Sequence, residues 1–232
     1  MHACEPETGY SPRGLCLNCR QPTPYCLCPQ IQPFDPKIQF AILMHGLEAK
    51  KRLATGRISH LSLLGSKILR GYNYDSDERV NALINDPRLF PVVLYPGAKS
   101  IDLSAMSAED RMQIVPREKQ LLIFVIDGRW STARKTMRRS KNLARLPRFS
   151  FAPARPSRFR VRRQPHQECW ATIEAIHQTI ELLGPACGFS VESRAHDSLL
   201  KVFDFMVEQQ INLEARAREA RKTEHRLGKA LG

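Results

Sequence analysis

Short apolar runs alternate with amphipathic segments over most of this chain. Three of the runs are rich in Ile, Leu, Val and Phe and are bounded by turn residues: residues 38–44, 91–95 and 120–126. Such runs are typical of parallel strands that are buried on both faces. Apolar positions at helical spacing predict helices over residues 57–70, 77–84, 132–143 and 167–183. The pattern therefore predicts an α/β domain with a mostly parallel sheet flanked by helices.

The last part of the chain predicts one long helix, over residues 195–227. Leu199, Phe203 and Met206 belong to an apolar stripe that we expect to pack on the domain, whereas the sequence beyond Asn212 is nearly all Ala, Arg, Lys and Glu. We expect this charged half to be solvated, and contact with RNA is an alternative. Three parts follow: an N-terminal module (1–35), an α/β domain (36–194) and a C-terminal helix with a charged tail (195–232).

Four of the seven cysteines fall within one 13-residue stretch inside a Pro-rich segment: Cys16, Cys19, Cys26 and Cys28. Four thiolates suit the tetrahedral coordination of zinc, and a segment without its own core needs such a crosslink. Disulfides are the alternative, disfavoured by the odd total and by the expected intracellular setting. We expect a structural zinc ion, because four sulfur ligands leave no position for a catalytic water.

The charge of the chain is concentrated in one segment. The net charge is +13, and residues 129–163 contain thirteen Lys and Arg but no Asp or Glu; elsewhere 23 basic residues face 23 acidic ones. Such a segment favours a polyphosphate backbone over a membrane surface, since its prolines interrupt any long amphipathic helix. A solvated basic face is the plainer alternative. Residues 148–161 look extended, so Arg160 and Arg162 would share one face of a strand. The expected RNA contacts are Arg134, Lys135, Arg138, Arg139, Lys141, Arg160, Arg162 and Arg163.

Neither a membrane span nor a secretory signal is predicted. No run approaches the roughly 18–20 apolar residues that a span requires. Residues 1–10 lack a basic stretch followed by an apolar one. We therefore expect a cytoplasmic protein without membrane association, and the sequence leaves its oligomeric state unknown.

Three predicted strands end in glycines and polar or aromatic side chains. Ligands of open α/β sheets bind beyond the carboxyl ends of the strands, so these ends predict one shared pocket. Taken singly, each strand end also fits an ordinary turn, and its aromatic residue also fits a place in the core. No Gly-x-Gly-x-x-Gly and no P-loop motif occurs, which argues against a standard dinucleotide site and a P-loop NTPase. The expected cofactor-binding residues are His45, Leu94, Tyr95, Pro96, Gly97, Asp127, Gly128 and Trp130.

Taken in order, these motifs resemble the DTW-domain family of tRNA-uridine aminocarboxypropyltransferases. The resemblance rests on the four-cysteine cluster and on five further motifs: Met44-His45 with Glu48 and Arg52, Thr55-Gly56-Arg57, Leu94-Tyr95-Pro96-Gly97, Asp127-Gly128-Arg129-Trp130, and Thr172-Ile173-Glu174-Ala175. Leu146-Pro147-Arg148, which leads into Phe159-Arg160-Val161-Arg162, is similar as well. Two departures stand out. Arg129 replaces the threonine of the family signature Asp-x-Thr-Trp, and Leu53-Ala54 replaces a Thr-Asn pair.

The resemblance implies a SPOUT-like α/β fold with a knot near its C-terminal part. It also implies S-adenosylmethionine as the donor substrate of a 3-amino-3-carboxypropyl group, which goes to N3 of a tRNA uridine, with release of 5′-methylthioadenosine. For bacterial members the target is uridine 47 in the variable loop. The alternatives are a SPOUT-type RNA methyltransferase and a non-enzymatic zinc-containing RNA-binding protein.

Roles for single residues follow from that chemistry. Asp127 is the expected base or orienting acceptor, although it also fits as a cap of the helix that follows. Trp130 is expected either to pack against the adenine or to support the loop. The donor carboxylate requires a cationic or N–H partner, and Arg52, Arg57 and Arg129 are all suitable.

Overall fold

The protein is built on a six-stranded, entirely parallel sheet. The structure, a computed structural model, describes residues 11, 14–49, 51–161 and 169–230, with the backbone alone for 224–230. The strands are β1 (Gln39–Met44), β2 (Lys67–Arg70), β3 (Leu89–Leu94), β4 (Ser100–Asp102), β5 (Gln120–Asp127) and β6 (Arg148–Ser150). Their order across the sheet is β2-β1-β5-β3-β6-β4. The predicted α/β class and the mostly parallel sheet are confirmed.

Helices cover both faces of this sheet. They are α1 (Gly46–Ala49), α2 (Thr55–Ser62), α3 (Glu78–Ile84), α4 (Ala108–Gln113), α5 (Trp130–Arg139), α6 (Lys141–Ala144), α7 (Thr172–Leu183) and α8 (Asp197–Ala230). On β5, Leu121, Ile123 and Val125 join one core with α2, α7 and α8, whereas Leu122 and Phe124 join a second core with α3, α5 and α6. The central strand is therefore buried on both faces, which explains its uninterrupted apolar run.

The helix predicted over residues 57–70 is wrong in its second half. Helix α2 ends at Ser62, Gly65 adopts a φ of +74°, and residues 67–70 form β2, in which Ile68 pairs with Ile42 of β1. The apolar positions fit a helical spacing, but a glycine in the left-handed region reverses the chain. Pairing with β1 then determines the structure of the segment.

The helix predicted over residues 132–143 is interrupted at Ser140, between α5 and α6. The Ser140 hydroxyl is fully buried and accepts a hydrogen bond of 3.0 Å from the backbone N–H of Tyr74. Asn142 donates to the Tyr74 carbonyl at 2.7 Å. Through these two hydrogen bonds, the junction between α5 and α6 is held to Tyr74, in the segment before α3.

The cysteine-rich segment packs on the domain. Cys16, Cys19 and Leu27 are at most 1% exposed and belong to the core that α2, α7 and α8 share. Gln21 donates a hydrogen bond of 2.8 Å to the Arg52 carbonyl, which ties the segment to the loop before α2. In the folded protein this segment and the domain therefore share one core.

The predicted long C-terminal helix is confirmed as α8. Leu199, Phe203, Met206 and Val207 are at most 2% exposed, and they pack against α2 and α7. Beyond residue 214 the described side chains are exposed. Among the described residues, no helix combines the length and the apolar character that a membrane span requires.

Candidate active site and metal centre

The sheet order brings two of the three predicted strand ends together at one cleft. In the central register Met44 pairs with Asp127, and Leu94 pairs with Val125, so β1, β5 and β3 end side by side. A cleft of about 990 Å³ opens beyond β5, β3 and β6, and its other wall is the start of α7. This volume is at the upper end of the range that small-molecule sites span.

Aromatic side chains form much of the cleft wall. Tyr95 and Trp130 meet edge to face with ring centroids 5.7 Å apart, and Phe151 lies 5.6 Å from Trp170. The Trp130 indole N–H donates to the Cys169 sulfur at 2.8 Å, and 37% of Trp130 stays exposed. Rings held in this way offer flat apolar faces for a purine or a pyrimidine.

Tyr95 remains protonated at physiological pH. Burial raises the pKa of its phenol, and the positive charges of Arg134 and Arg148 oppose this shift only in part. The hydroxyl is therefore a neutral hydrogen-bonding group on the wall of the cleft.

Asp127 lies directly behind the cleft wall. It is 4% exposed, and its Oδ1 accepts a hydrogen bond of 2.7 Å from the hydroxyl of Thr172, the first residue of α7. A Cβ on Gly56 would lie 2.6 Å from the Asp127 Cγ, so only glycine fits there without displacing the carboxylate. Arg129, the N-cap residue of α5, makes no side-chain capping hydrogen bond, and the capping alternative for Asp127 stays a prediction.

Glu174 anchors the loop that forms the outer wall. It is 3% exposed, and its carboxylate accepts hydrogen bonds from the Ser157 hydroxyl at 2.6 Å and from the backbone N–H groups of Arg158 and Ala171, both at 2.8 Å. This buried carboxylate joins residues 157–158 to the start of α7. Thr172 and Glu174 belong to a motif that the sequence pointed to, but neither was among the predicted site residues.

The other predicted cofactor residues divide into two groups. Leu94, Tyr95, Pro96, Gly128 and Trp130 line the cleft, whereas among the described residues His45, Gly97 and Asp127 do not. The His45 ring instead faces Tyr72, with centroids 6.2 Å apart. Four further residues line the cleft and were not predicted, because they lie just before α7 and at its first residue, distant in sequence from the strand ends: Cys169, Trp170, Ala171 and Thr172.

Of the three arginines considered for a carboxylate partner, Arg129 lines the cleft. Arg57 is 6% exposed and donates to the backbone carbonyls of Ala49 and Lys51, at 2.5 and 3.2 Å. Burial lowers the pKa of this guanidinium. Arg57 therefore holds the loop before α2 and has a structural role. A second cation beside Arg129, Arg134, also lines the cleft.

The basic segment forms an exposed face on α5. Arg134, Lys135, Arg138 and Arg139 are exposed, whereas Ala133, Thr136 and Met137 on the opposite side are buried. Lys141 follows on the exposed start of α6. Because α5 begins at the cleft, its row of cations extends outward from the site.

The strand predicted around Arg160 is wrong. Strand β6 ends at Ser150, and Arg160 lies in a turn where it forms an ion pair with Glu208 of α8. Arg158 pairs with Asp204 on the same helix at 2.7 Å. Acidic residues of α8 thus offset part of the basic segment. Arg162 and Arg163 lie outside the described residues.

The four predicted metal ligands converge. Their sulfur atoms lie within 4.8 Å of one another, with Cys16 to Cys28 at 3.6 Å and Cys19 to Cys26 at 3.7 Å. These distances are too long for disulfides, but they match the sulfur–sulfur edge of about 3.8 Å in a tetrahedron with Zn–S bonds of about 2.3 Å. Contacts from Cys28 and from backbone N–H groups lower the pKa of Cys19, whereas burial raises that of Cys26. The residues fit a structural zinc ion, which would keep all four as thiolates.

Comparisons with known proteins agree with this geometry. The DTW domain matches residues 13–211. Over 179 residues the chain is 26% identical to tRNA-uridine aminocarboxypropyltransferase 2 of Drosophila melanogaster, an alignment that covers 74% of this chain and 67% of the relative. No solved structure is significantly similar to the chain. With most of its length matched, the chain belongs to the DTW domain family.

Proposed function

We propose that this protein transfers the 3-amino-3-carboxypropyl group of S-adenosylmethionine to N3 of a tRNA uridine. The observation that carries the proposal is the juxtaposition, at one sheet edge, of an aromatic cleft, the buried pair Asp127–Thr172 and the basic face of α5. Membership of the DTW domain family and the name of the Drosophila relative support the same activity.

The cleft suits a donor that carries both a purine and a carboxylate. Tyr95 and Trp130 supply rings against which an adenine can pack. The uncapped N-terminus of α5 directs backbone N–H groups toward the site, beside Arg129 and Arg134. A helix N-terminus and two guanidinium groups attract a carboxylate. We assign the carboxylate of the donor to this end of the cleft.

Asp127 acts through Thr172 in this proposal. The Thr172 hydroxyl donates a hydrogen bond to Asp127, so the lone pairs of its oxygen are available to accept an N–H from a base in the cleft. As N3 of uridine forms its bond to the Cγ of the donor, the Cγ–S bond breaks and 5′-methylthioadenosine leaves. The N3 proton passes through the Thr172 hydroxyl to Asp127. Since the sulfonium is a good leaving group, positioning supplies much of the rate.

The exposed cations of α5 bind the tRNA backbone. A ten-residue helix extends over about 15 Å, which spans several phosphates of a folded RNA. Such contacts fix the position of the RNA without reading its sequence, and the cleft receives the target base. The finer expectations stay predictions: uridine 47, a SPOUT-like knotted chain and a cytoplasmic location.

Nucleoside mass spectrometry of tRNA tests the proposal. Digests from cells that express this chain are expected to contain aminocarboxypropyluridine, digests from cells without its gene are not, and a plasmid copy restores the nucleoside. Loss of a methylated uridine instead would favour the methyltransferase alternative. An unchanged set of nucleosides would contradict both enzymes.

A further inference from the structure

A second group of side chains that could ligate a metal ion lies between the middle and end of α7 and the start of α8. His177 and Glu181 are four residues apart, so they project from the same side of α7. His196 immediately precedes α8, and Asp197 is the first residue of that helix. One ligand atom from each of these four residues lies within 4.8 Å of the others. Along α7, His177 is about 7.5 Å and Glu181 about 14 Å from Thr172. None of the four residues lines the cleft.

His196 is the least satisfied member of the group. It is fully buried, and within the described residues neither of its ring nitrogens has a hydrogen-bond partner. Its Nε2 lies 3.0 Å from Oε1 of Glu181, but the pair does not have hydrogen-bond geometry. A buried imidazole whose Nδ1 has no hydrogen-bond partner and whose Nε2 approaches a carboxylate without hydrogen-bond geometry is rare in folded proteins, and an ion is one of the usual reasons.

The arrangement is close to a four-coordinate site. Nε2 of His177 is 2.9 Å from Oδ1 of Asp197, and the two imidazole rings lie with centroids 4.7 Å apart. A tetrahedral zinc site with bonds of 2.0–2.1 Å has ligand–ligand edges of about 3.3 Å. The shortest pairs of this group are slightly tighter than that edge and the longest are looser. Small side-chain rotations therefore suffice to place all four atoms around one ion.

Among the described residues, Arg194 is the one Lys or Arg whose side chain contacts both carboxylates. It donates to Oε1 of Glu181 at 2.6 Å and to Oδ1 and Oδ2 of Asp197 at 2.7 and 2.9 Å. Its side chain is half exposed, so it approaches from the solvent side. Two carboxylates and one guanidinium leave a net charge of −1 when both imidazoles are neutral. Arg194 thus orients the carboxylates and leaves a negative site for a cation.

We propose that His177, Glu181, His196 and Asp197 bind one divalent transition-metal ion. Zinc suits this set best, since it accepts imidazole nitrogens and carboxylate oxygens in four-coordinate sites. Four protein ligands leave no position for a substrate, so the ion joins α7 to α8 and has no part in the reaction. The proposal is independent of the transferase activity, and its test measures metal content without any turnover.

Zinc content of the full-length protein tests the proposal. The wild type is expected to hold two equivalents, a His177→Gln, His196→Gln double variant one, and a Cys26→Ser, Cys28→Ser double variant one. His60→Gln is the matched control: His60 contacts the Ser66 hydroxyl at 2.8 Å and belongs to neither group, and this variant is expected to keep two equivalents. One equivalent in the wild type, or two in the His177, His196 variant, would overturn the proposal.

Cobalt spectroscopy decides the matter if either double variant fails to fold. Wild-type protein stripped of metal is titrated with Co²⁺ alone. Thiolate ligands produce a sulfur-to-metal charge-transfer band, whereas imidazole and carboxylate ligands produce ligand-field bands only. We expect saturation at two equivalents, with one adding charge transfer and the other adding ligand-field bands alone. Saturation at one equivalent, or charge transfer from both, would refute the second site.

Discussion

The hydrogen bond between Thr172 and Asp127 leads to a sharp prediction about activity. Thr172→Val keeps the shape of the side chain but removes the donor that lies 2.7 Å from Oδ1 of the carboxylate. A hydrogen bond to a charged group contributes about 1.5–3 kcal/mol. At about 1.4 kcal/mol per tenfold change in rate, we expect kcat/KM to fall roughly 10- to 100-fold.

The prediction separates a role in the reaction from a role in folding. For a chain of this size the same loss of free energy lowers Tm by roughly 3–12 °C, so turnover is measured well below the transition. Affinity for tRNA is expected to remain unchanged, because Thr172 faces the cleft and the cations of α5 lie elsewhere.

Two further variants provide the controls. Thr172→Ser restores the hydroxyl and is expected to recover most of the activity. Thr179→Val makes the same chemical change on the same helix, where the buried hydroxyl donates only to the Ala175 carbonyl at 2.7 Å, and it is expected to leave kcat/KM near the wild-type value. A folded Thr172→Val protein with wild-type turnover, or equal losses in both valine variants, would refute the proton path through Thr172.

The remaining predictions concern metal and RNA. Cys26→Ser with Cys28→Ser is expected to lose one zinc equivalent and to lower Tm, since Cys16 and Cys19 belong to the main core; full metal retention by elemental analysis would contradict this assignment. If four to six phosphates are neutralised, the logarithm of tRNA affinity is expected to fall with the logarithm of salt concentration with a slope of roughly −3 to −5. A triple variant of α5 is expected to flatten that slope: Lys135→Ala, Arg138→Ala and Arg139→Ala. The control variant, Arg117→Ala with Lys119→Ala on another exposed segment, is expected to keep it. An unchanged slope in the α5 triple variant would place the RNA elsewhere.

The central strands could be predicted from the sequence because they are buried on both faces. The apolar runs that became β1, β3 and β5 needed no knowledge of their partners. The short strands β2 and β4 were missed, and β6 covers only the first three residues of the segment predicted as extended, since half-exposed segments of three or four residues carry little pattern of their own. Their structure depends on pairing with distant strands, as the wrong helix over residues 67–70 illustrates.

The candidate site could be predicted only where it follows a strand end. Tyr95 and Trp130 line the cleft because the carboxyl ends of neighbouring parallel strands meet at one edge. His45 follows a strand too, but β1 lies on the side of β5 away from β3 and β6, which flank the cleft. Thr172 meets Asp127 across 45 residues of sequence, and only the packing of α7 brings the two together. Burial of Asp127 behind this hydroxyl likewise depends on Gly56 of α2.

The by-product of the reaction tests the proposed activity most directly. Purified protein is incubated with S-adenosylmethionine, with and without tRNA, and the adenosine products are separated by chromatography. Membership of the DTW domain family and the name of the Drosophila relative favour 5′-methylthioadenosine, which we expect only when tRNA is present and in an amount equal to the modified uridine. Release of S-adenosylhomocysteine would show that the methyl group is transferred, and it would contradict the proposed aminocarboxypropyl transfer.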